Sequence, residues 1–250
     1  MERLQKVLAA ANLVSRRKAE TLILQKRVKV NNQIVYELGT KVSPSDVITV
    51  DNTLITKTPL FYYLLNKPQG YLSTAKDNKT RQTVLDLIIE AKTQRLYPVG
   101  RLDFNTTGLL LITNDGDLTQ KLTHPFFDVQ KEYHVKINAF LSNKDLAVFR
   151  KGILIDKNYL SIPQEVLILK HRRLPQPSTW LKIVITEGKN RQIRKMMEAL
   201  GHKVLKLKRY RYSFLTIKGL KTGDYRLLKI NEIKKLKTLT NQKQKLFLWS

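Results

Sequence analysis

Three side chains in this chain have types and settings suited to chemistry: Asp103, Tyr133 and Arg194. Asp103 is one of few carboxylates in a strongly basic protein, which carries 46 Lys+Arg against 20 Asp+Glu, a formal net charge of +26. It lies in the segment Tyr97-Pro98-Val99-Gly100-Arg101-Leu102-Asp103-Phe104-Asn105-Thr106-Thr107-Gly108, which leads into the apolar run Leu109–Thr113. A carboxylate on a loop held by a buried strand can act as a nucleophile or a base. By residue type alone it reads first as a turn or cap carboxylate, as do Asp115 and Asp117. Tyr133 sits in a stretch of period two, on the same face as Val135 and Ile137. Its ring therefore points inward or into a cleft, and by residue type it reads first as a core tyrosine with its hydroxyl satisfied. Arg194 opens a helix, where a positive charge is slightly unfavourable against the dipole. An arginine at that end needs a reason, and a carboxylate or a phosphate would supply one.

The elements that must position these groups are legible as patterns. Phe61–Leu65 reads as a buried strand closed by the turn Asn66-Lys67-Pro68-Gln69-Gly70. Thr83–Glu90 reads as a helix, and Leu109–Thr113 as a fully apolar strand. Val129–Ile137 alternates as a strand, and Leu181, Ile183 and Ile185 mark another. Ile193, Met196, Met197 and Leu200 recur at i, i+3, i+4, i+7, the core stripe of a helix over Arg191–Leu200, with Gly201 as its stop. Leu141–Gly152 is expected to be helical, and Lys170–Pro177 a basic, proline-containing loop.

The first fifty residues form a separate pattern. Leu4, Val7, Leu8 and Ala11 share one helix face, and Ser15 is a candidate N-cap for a second helix striped by Ala19, Leu22 and Ile23. Val28 and Val30 then alternate with Lys29, Asn31-Asn32 reads as a tight turn, and Val35, Val42, Val47, Ile48 and Val50 complete a small sheet. Residues 51–60 are polar and Thr-rich and read as a linker. Residues 234–250 read as a basic C-terminal tail.

Composition narrows the function. With 42% apolar residues the chain can bury a core. It has no cysteine, which excludes disulfides, a thiol nucleophile and Cys-based zinc sites. Four scattered histidines argue against a His-rich metal site. No apolar run approaches the ~20 residues needed to cross a bilayer, and the two tryptophans, Trp180 and Trp249, are not placed to anchor an interfacial helix. No signal-peptide pattern opens the chain. The expectation is a cytoplasmic protein whose field attracts polyanions. The charge is concentrated: residues 1–58 carry ten basic side chains against five acidic, and residues 182–211 ten against two.

Residues 1–50 resemble the small RNA-binding module first known from ribosomal protein S-four. The resemblance rests on Arg3-Leu4, on Ser15-Arg16-Arg17-Lys18-Ala19-Glu20 and on Lys26-Arg27-Val28-Lys29-Val30-Asn31. That family usually has glycine after the last of these; here it is Asn32, which tolerates the left-handed conformation. The resemblance implies contacts to structured RNA through Arg3, Arg16, Arg17, Lys18, Lys26 and Arg27. The rest of the chain resembles the RsuA/RluB branch of the pseudouridine synthases. The matching segments, in family order, are Leu65-Asn66-Lys67-Pro68, Gly100-Arg101-Leu102-Asp103, Thr107-Gly108-Leu109-Leu110, Thr113-Asn114-Asp115-Gly116, His124-Pro125, Lys131-Glu132-Tyr133 and Gly188-Lys189-Asn190-Arg191-Gln192-Ile193-Arg194-Lys195-Met196-Met197.

That resemblance implies an α+β fold: the small module, then a catalytic domain over 61–233 with a mixed, mainly antiparallel sheet flanked by helices. It implies Asp103 as the catalytic aspartate, Tyr133 as the aromatic stacking on the target uracil, Arg194 as the partner of the aspartate, and Arg101 as a contact to RNA or the flipped base. Lys67, Arg191 and Ile193 are expected to bind substrate, with Ile193 or a side chain within Val204–Leu207 as a second apolar wall. The reaction moves the glycosidic link from N1 to C5 of uridine with no redox step and no net hydrolysis, so it needs no cofactor or metal. The expected substrate is 23S rRNA, as free RNA or an assembling particle, with 16S rRNA the alternative, and the expected state is a monomer. Two other readings compete. A non-catalytic rRNA-binding or ribosome-assembly factor would explain the charge but not the set Asp103, Tyr133 and Arg194. A nucleic-acid glycosidase often needs a second carboxylate, and residues 97–137 offer none with a matched role.

Overall fold

In the computed structural model, which describes residues 1–56, 58–156, 158–173 and 175–248, the chain opens with the short strand β1 (Glu2–Arg3) and helix α1 (Leu4–Ala10). Helix α2 (Arg16–Leu24) starts at Ser15, whose Oγ accepts the Lys18 N–H at 3.2 Å. Strands β2 (Val28–Val30) and β3 (Gln33–Val35) form a hairpin turned by Asn31 and Asn32, both left-handed at φ 50° and 67°. β4 (Lys41–Val42) pairs with β1, and β5 (Ile48–Val50) pairs with β2. Leu4, Leu8, Ala19, Leu22 and Ile23 pack over Val28, Val42, Ile48 and Val50 as one small core. The sheet runs on into the segment expected as a linker: β6 (Thr53–Leu54) pairs with β5, so only the residues beyond it bridge to the next unit. Lys57 of that bridge lies outside the described residues.

The larger unit is built on β7 (Tyr62–Lys67), β8 (Tyr97–Pro98), β9 (Thr107–Thr113), helix α3 (Gly116–Thr123), β10 (Lys131–Ile137), helix α4 (Asn143–Lys151), β11 (Ile153–Ile155), β12 (Tyr159–Ser161), β13 (Glu165–Arg172), β14 (Ser178–Ile185), helix α5 (Gln192–Ala199), β15 (Val204–Tyr212), β16 (Leu215–Thr216), β17 (Tyr225–Leu227) and helix α6 (Ile230–Leu248). Its main sheet runs β13-β14-β10-β15-β9-β7-β17, with β16 beside β15 and β8 beside β9. Every pairing in it is antiparallel except β15 with β9. The fold is α+β, with a mixed and mainly antiparallel sheet. At the parallel crossing Gly108 (φ 105°) faces Arg209, and a Cβ there would stand 2.2 Å from the Arg209 carbonyl oxygen. Only glycine lets the two strands approach so closely.

Alternation along β7 and β9 sends side chains to two cores. Tyr63, Leu65, Leu110 and Ile112 join Tyr133, Val135, Ile183, Phe149 of α4 and Met196 and Met197 of α5. Tyr62, Leu64, Leu109 and Leu111 join Leu118 and Leu122 of α3 and Leu236 of α6 on the other face.

Three expectations are corrected. Thr83–Glu90 is not one helix but two single 3₁₀ turns, Val84–Leu87 and Ile89–Lys92, because Ile88 between them takes extended backbone (φ −114°, ψ 114°). Lys170, His171 and Arg172 are not loop but the end of β13, paired to β14; Leu174 in the same expected loop lies outside the described residues. The expected tail is helix through Leu248, and Leu236 and Thr240 pack it onto the domain; Trp249 and Ser250 are outside the described residues. Among the described residues, no helix is long and apolar enough to cross a membrane.

Candidate active site

The loop carrying Asp103 is held from below. Lys67, at the end of β7, is fully buried, and its Nζ donates to the carbonyls of Pro68 (3.0 Å), Asp103 (3.3 Å), Phe104 (3.4 Å) and Thr106 (3.0 Å). Burial pulls the Lys67 pKa down to about 8, against the Asp103 charge that raises it. Ser73 Oγ exchanges hydrogen bonds with the Leu102 carbonyl (2.9 Å) and N–H (3.1 Å), and the Gly70 N–H donates to the Phe104 carbonyl at 3.0 Å. The Asp103 carboxylate therefore sits on a loop with little freedom to shift. Lys67, expected among the substrate-binding residues, lies beneath the Asp103 loop with its ammonium on loop carbonyls and is not among the residues that line the cavity over Asp103.

Arg194 approaches from the first turn of α5. Its Nε lies 3.8 Å from Asp103 Oδ2, with side-chain exposures of 15% and 33%. That separation is an ion pair rather than a hydrogen bond. Nη2 reaches the Asn105 carbonyl at 3.5 Å, and Nε is buried with no acceptor. Burial lowers the Arg194 pKa, the neighbouring Arg191 lowers it further, and Asp103 opposes both. The cation is held beside the carboxylate with a donor left over.

A cavity of about 440 Å³ opens over this pair, within the range of small-molecule sites. Asp103, Arg101, Tyr133, Arg191 and Ile193 line it, as does Leu207 from the segment considered for a second apolar wall. Arg194 joins them through Asp103. Tyr133 comes from β10, with Ile183 of β14 and Arg209 of β15 as its cross-strand partners. Arg191 is left-handed at φ 50° and carries no capping bond for α5. A second carboxylate, Glu187, also lines the cavity, but it accepts from Tyr159, Ser161 (3.0 Å) and Gln192. A carboxylate so engaged is not free to act as the acid or base of a two-carboxylate glycosidase. Sequence reasoning gave no role to two buried cationic members of the lining, Lys131 and Arg209, although the alternation that turned Tyr133 inward places Lys131 on the same face. Among the described residues, no group of three or more His, Asp or Glu is placed to hold a metal ion.

The basic residues of the first module lie elsewhere. Arg3, Arg16, Arg17, Lys18, Lys26 and Arg27 are exposed. Arg16 turns toward Gly116 and Tyr97 of the larger unit, and Arg27 is held by the Asp51 carboxylate. Lys26 lies over the Tyr36 ring at 5.8 Å. The two units also meet through Lys6, whose Nζ is 2.8 Å from Asp117.

Comparison with known proteins shows what the chain is similar to. Residues 61–199 match the family model for RNA pseudouridylate synthase, and residues 2–48 match the S4 domain. The chain is 43% identical over 247 residues to ribosomal large subunit pseudouridine synthase B of Bacillus subtilis, covering 99% of this chain and all of that protein. It is 35% identical over 240 residues to the protein of the same name from Pseudomonas aeruginosa, covering 93% of this chain and 61% of that one. A crystal structure of a pseudouridylate synthase superposes with a TM-score of 0.64 at 31% identity, covering 94% of this chain and all of the other.

Proposed function

The chain belongs to the RNA pseudouridylate synthase family, and from that premise we propose that it isomerises uridine to pseudouridine in ribosomal RNA, specifically 23S rRNA. The observation that carries the reading is the Asp103 carboxylate, held on a pinned loop at the floor of a cavity, 3.8 Å from the Arg194 guanidinium. The relatives named for the large ribosomal subunit support 23S rRNA as the substrate. An rRNA substrate assigns the enzyme to the cytoplasm.

The chemistry follows from these residues. A uridine inside a stack is out of reach, so the base is flipped into the cavity, where Tyr133 offers one face and Ile193 and Leu207 an apolar wall. Asp103 meets the ribose and acts by attack at C1′ or by assisting elimination. Arg194, 3.8 Å away, holds it in place through the opposite charge. Arg101 and Arg191, at the cavity rim, contact the RNA around the flipped nucleotide. Exposed Arg3, Arg17, Lys18 and Lys26 of the first module grip RNA through phosphates, which adds affinity and orientation without reading bases.

The test is a pseudouridine map of rRNA, by chemical adduct and primer-extension stop, in cells lacking the gene and in cells complemented with wild type or Asp103→Asn. The expected result is loss of one stop in 23S rRNA that only the wild type restores. A lost stop in 16S rRNA would move the substrate to the small subunit, and an unchanged map would overturn the rRNA reading.

A further inference from the structure

Two buried cations in the cavity wall have no part in the roles above. Arg209 of β15 stands directly across from Tyr133 of β10, and Lys131 precedes Tyr133 by two residues on the same strand. Both line the cavity with Asp103, yet Arg209 is only 3% exposed and Lys131 8%. Arg209 Nε donates to the Leu109 carbonyl at 2.7 Å, while its Nη2 is buried with no acceptor. Lys131 Nζ donates to the carbonyls of Val129 (2.9 Å) and Thr186. The two charges flank the ring of Tyr212, at 5.1 and 5.8 Å from its centroid. Among the described residues neither is in a salt bridge; the carboxylates of Asp128 and Glu187 act on Lys131 only from a distance.

Burying two cations side by side with no carboxylate in ion-pair contact is costly. Burial and the neighbouring Arg209 together pull the Lys131 pKa down to about 8. The arrangement is understandable if an anion visits the cavity during turnover, and the proposed reaction makes one. When N1–C1′ breaks, the bonding pair stays with the base, which becomes a uracil anion with charge shared among N1, O2 and O4. We propose that Lys131 and Arg209 form the electrostatic cradle of this departing uracil anion, with the unpartnered Nη2 of Arg209 donating to a ring carbonyl oxygen.

The inference rests on the isomerase reading and deepens it. Asp103 handles the sugar, by a bond to C1′ or by assisting elimination. The freed ring turns, C5 returns an electron pair to C1′, the C5 proton leaves to a base, and N1 gains a proton. Lys131 and Arg209 exchange no proton in this sequence. They favour the anion over neutral uracil, so their contribution falls on the rate of the bound complex and not on RNA affinity.

The full-length enzyme tests this with Arg209→Gln, Arg209→Lys, Lys131→Met and Lys131→Arg. Single-turnover rates are measured at saturating RNA carrying the mapped uridine, and on the same RNA with 6-azauridine there, whose base leaves as a more stable anion. RNA affinity and melting temperature are measured alongside. The charge-removing variants are expected to lose about 10²-fold in rate with RNA affinity unchanged. The charge-keeping variants should recover part of that loss, and every deficit should shrink on the 6-azauridine substrate. Equal losses on both substrates, or a lysine at 209 no better than glutamine, would overturn the cradle and leave a packing role. Weakened RNA affinity with an unchanged saturated rate would also overturn it, pointing to a phosphate contact. A wild type that makes no pseudouridine would remove the isomerase reading, and the cradle with it; a working wild type with the failures above would remove the cradle alone.

Discussion

Helices α2 and α5 both begin with cations, where the helix dipole disfavours them, and the molecule resolves the conflict in opposite ways. In α2 the Ser15 side chain caps the first turn, and Arg17 and Lys18 stand exposed in water. Solvation keeps that charge inexpensive and leaves it available to any phosphate. In α5 no side chain caps the helix, Arg191 is left-handed, and Arg194 is largely buried against Asp103. A charge held there is committed to one carboxylate. Under the proposed function this contrast is a division of labour, with exposed cations supplying affinity and buried cations acting on the reacting atoms.

The largest expected effect comes from breaking the buried side. Arg194→Met should lower kcat by about 10²- to 10³-fold with RNA affinity unchanged, and Arg194→Lys should return part of it, as read by steady-state kinetics and filter binding. Next is the exposed side. Arg17→Ala with Lys18→Ala should weaken RNA binding about tenfold and reduce the log–log salt slope by about 2, with the saturated rate intact.

Lys67 sharpens the comparison through pH. Its folded pKa of about 8 lies below the ordinary lysine value of 10.5, so the unfolded chain binds more protons between those values. The penalty for burying the charge is in force below pH 8 and is relieved as pH rises toward 10.5. Relative to Lys67→Met, wild-type stability should therefore increase across that window in urea titrations. The smallest effect belongs to Arg27→Ala: its pair with Asp51 is exposed on both sides, so melting should hardly change at moderate salt.

Much of the scaffold was legible because local rules decide it. Ser15 caps α2, Asn31-Asn32 turns the first hairpin, and the Ile193, Met196, Met197 stripe buries α5. The period of two also turned Tyr133 to the cavity side. What escaped depends on long-range contacts. Lys67 looks like a turn lysine until the loop of Asp103 closes over it. Arg209 lies in the run Lys206-Leu207-Lys208-Arg209-Tyr210-Arg211, where charge alone cannot say which side chain faces inward; the parallel pairing with β9 decides it. Helix α6 carried a readable signal: Ile233, Leu236 and Thr240 fall on one face amid the lysines.

The central claim, that a carboxylate pinned beside a buried arginine does the chemistry while exposed cations hold the RNA, is tested most directly by single-turnover isomerisation with excess purified enzyme. Asp103→Asn should bind the RNA like wild type yet be slower by about 10⁴-fold or more, while the Arg17→Ala, Lys18→Ala protein reaches the wild-type rate once the RNA is saturated. An Asp103→Asn enzyme within about tenfold of wild type, or a double variant still slow at saturation, would contradict the account.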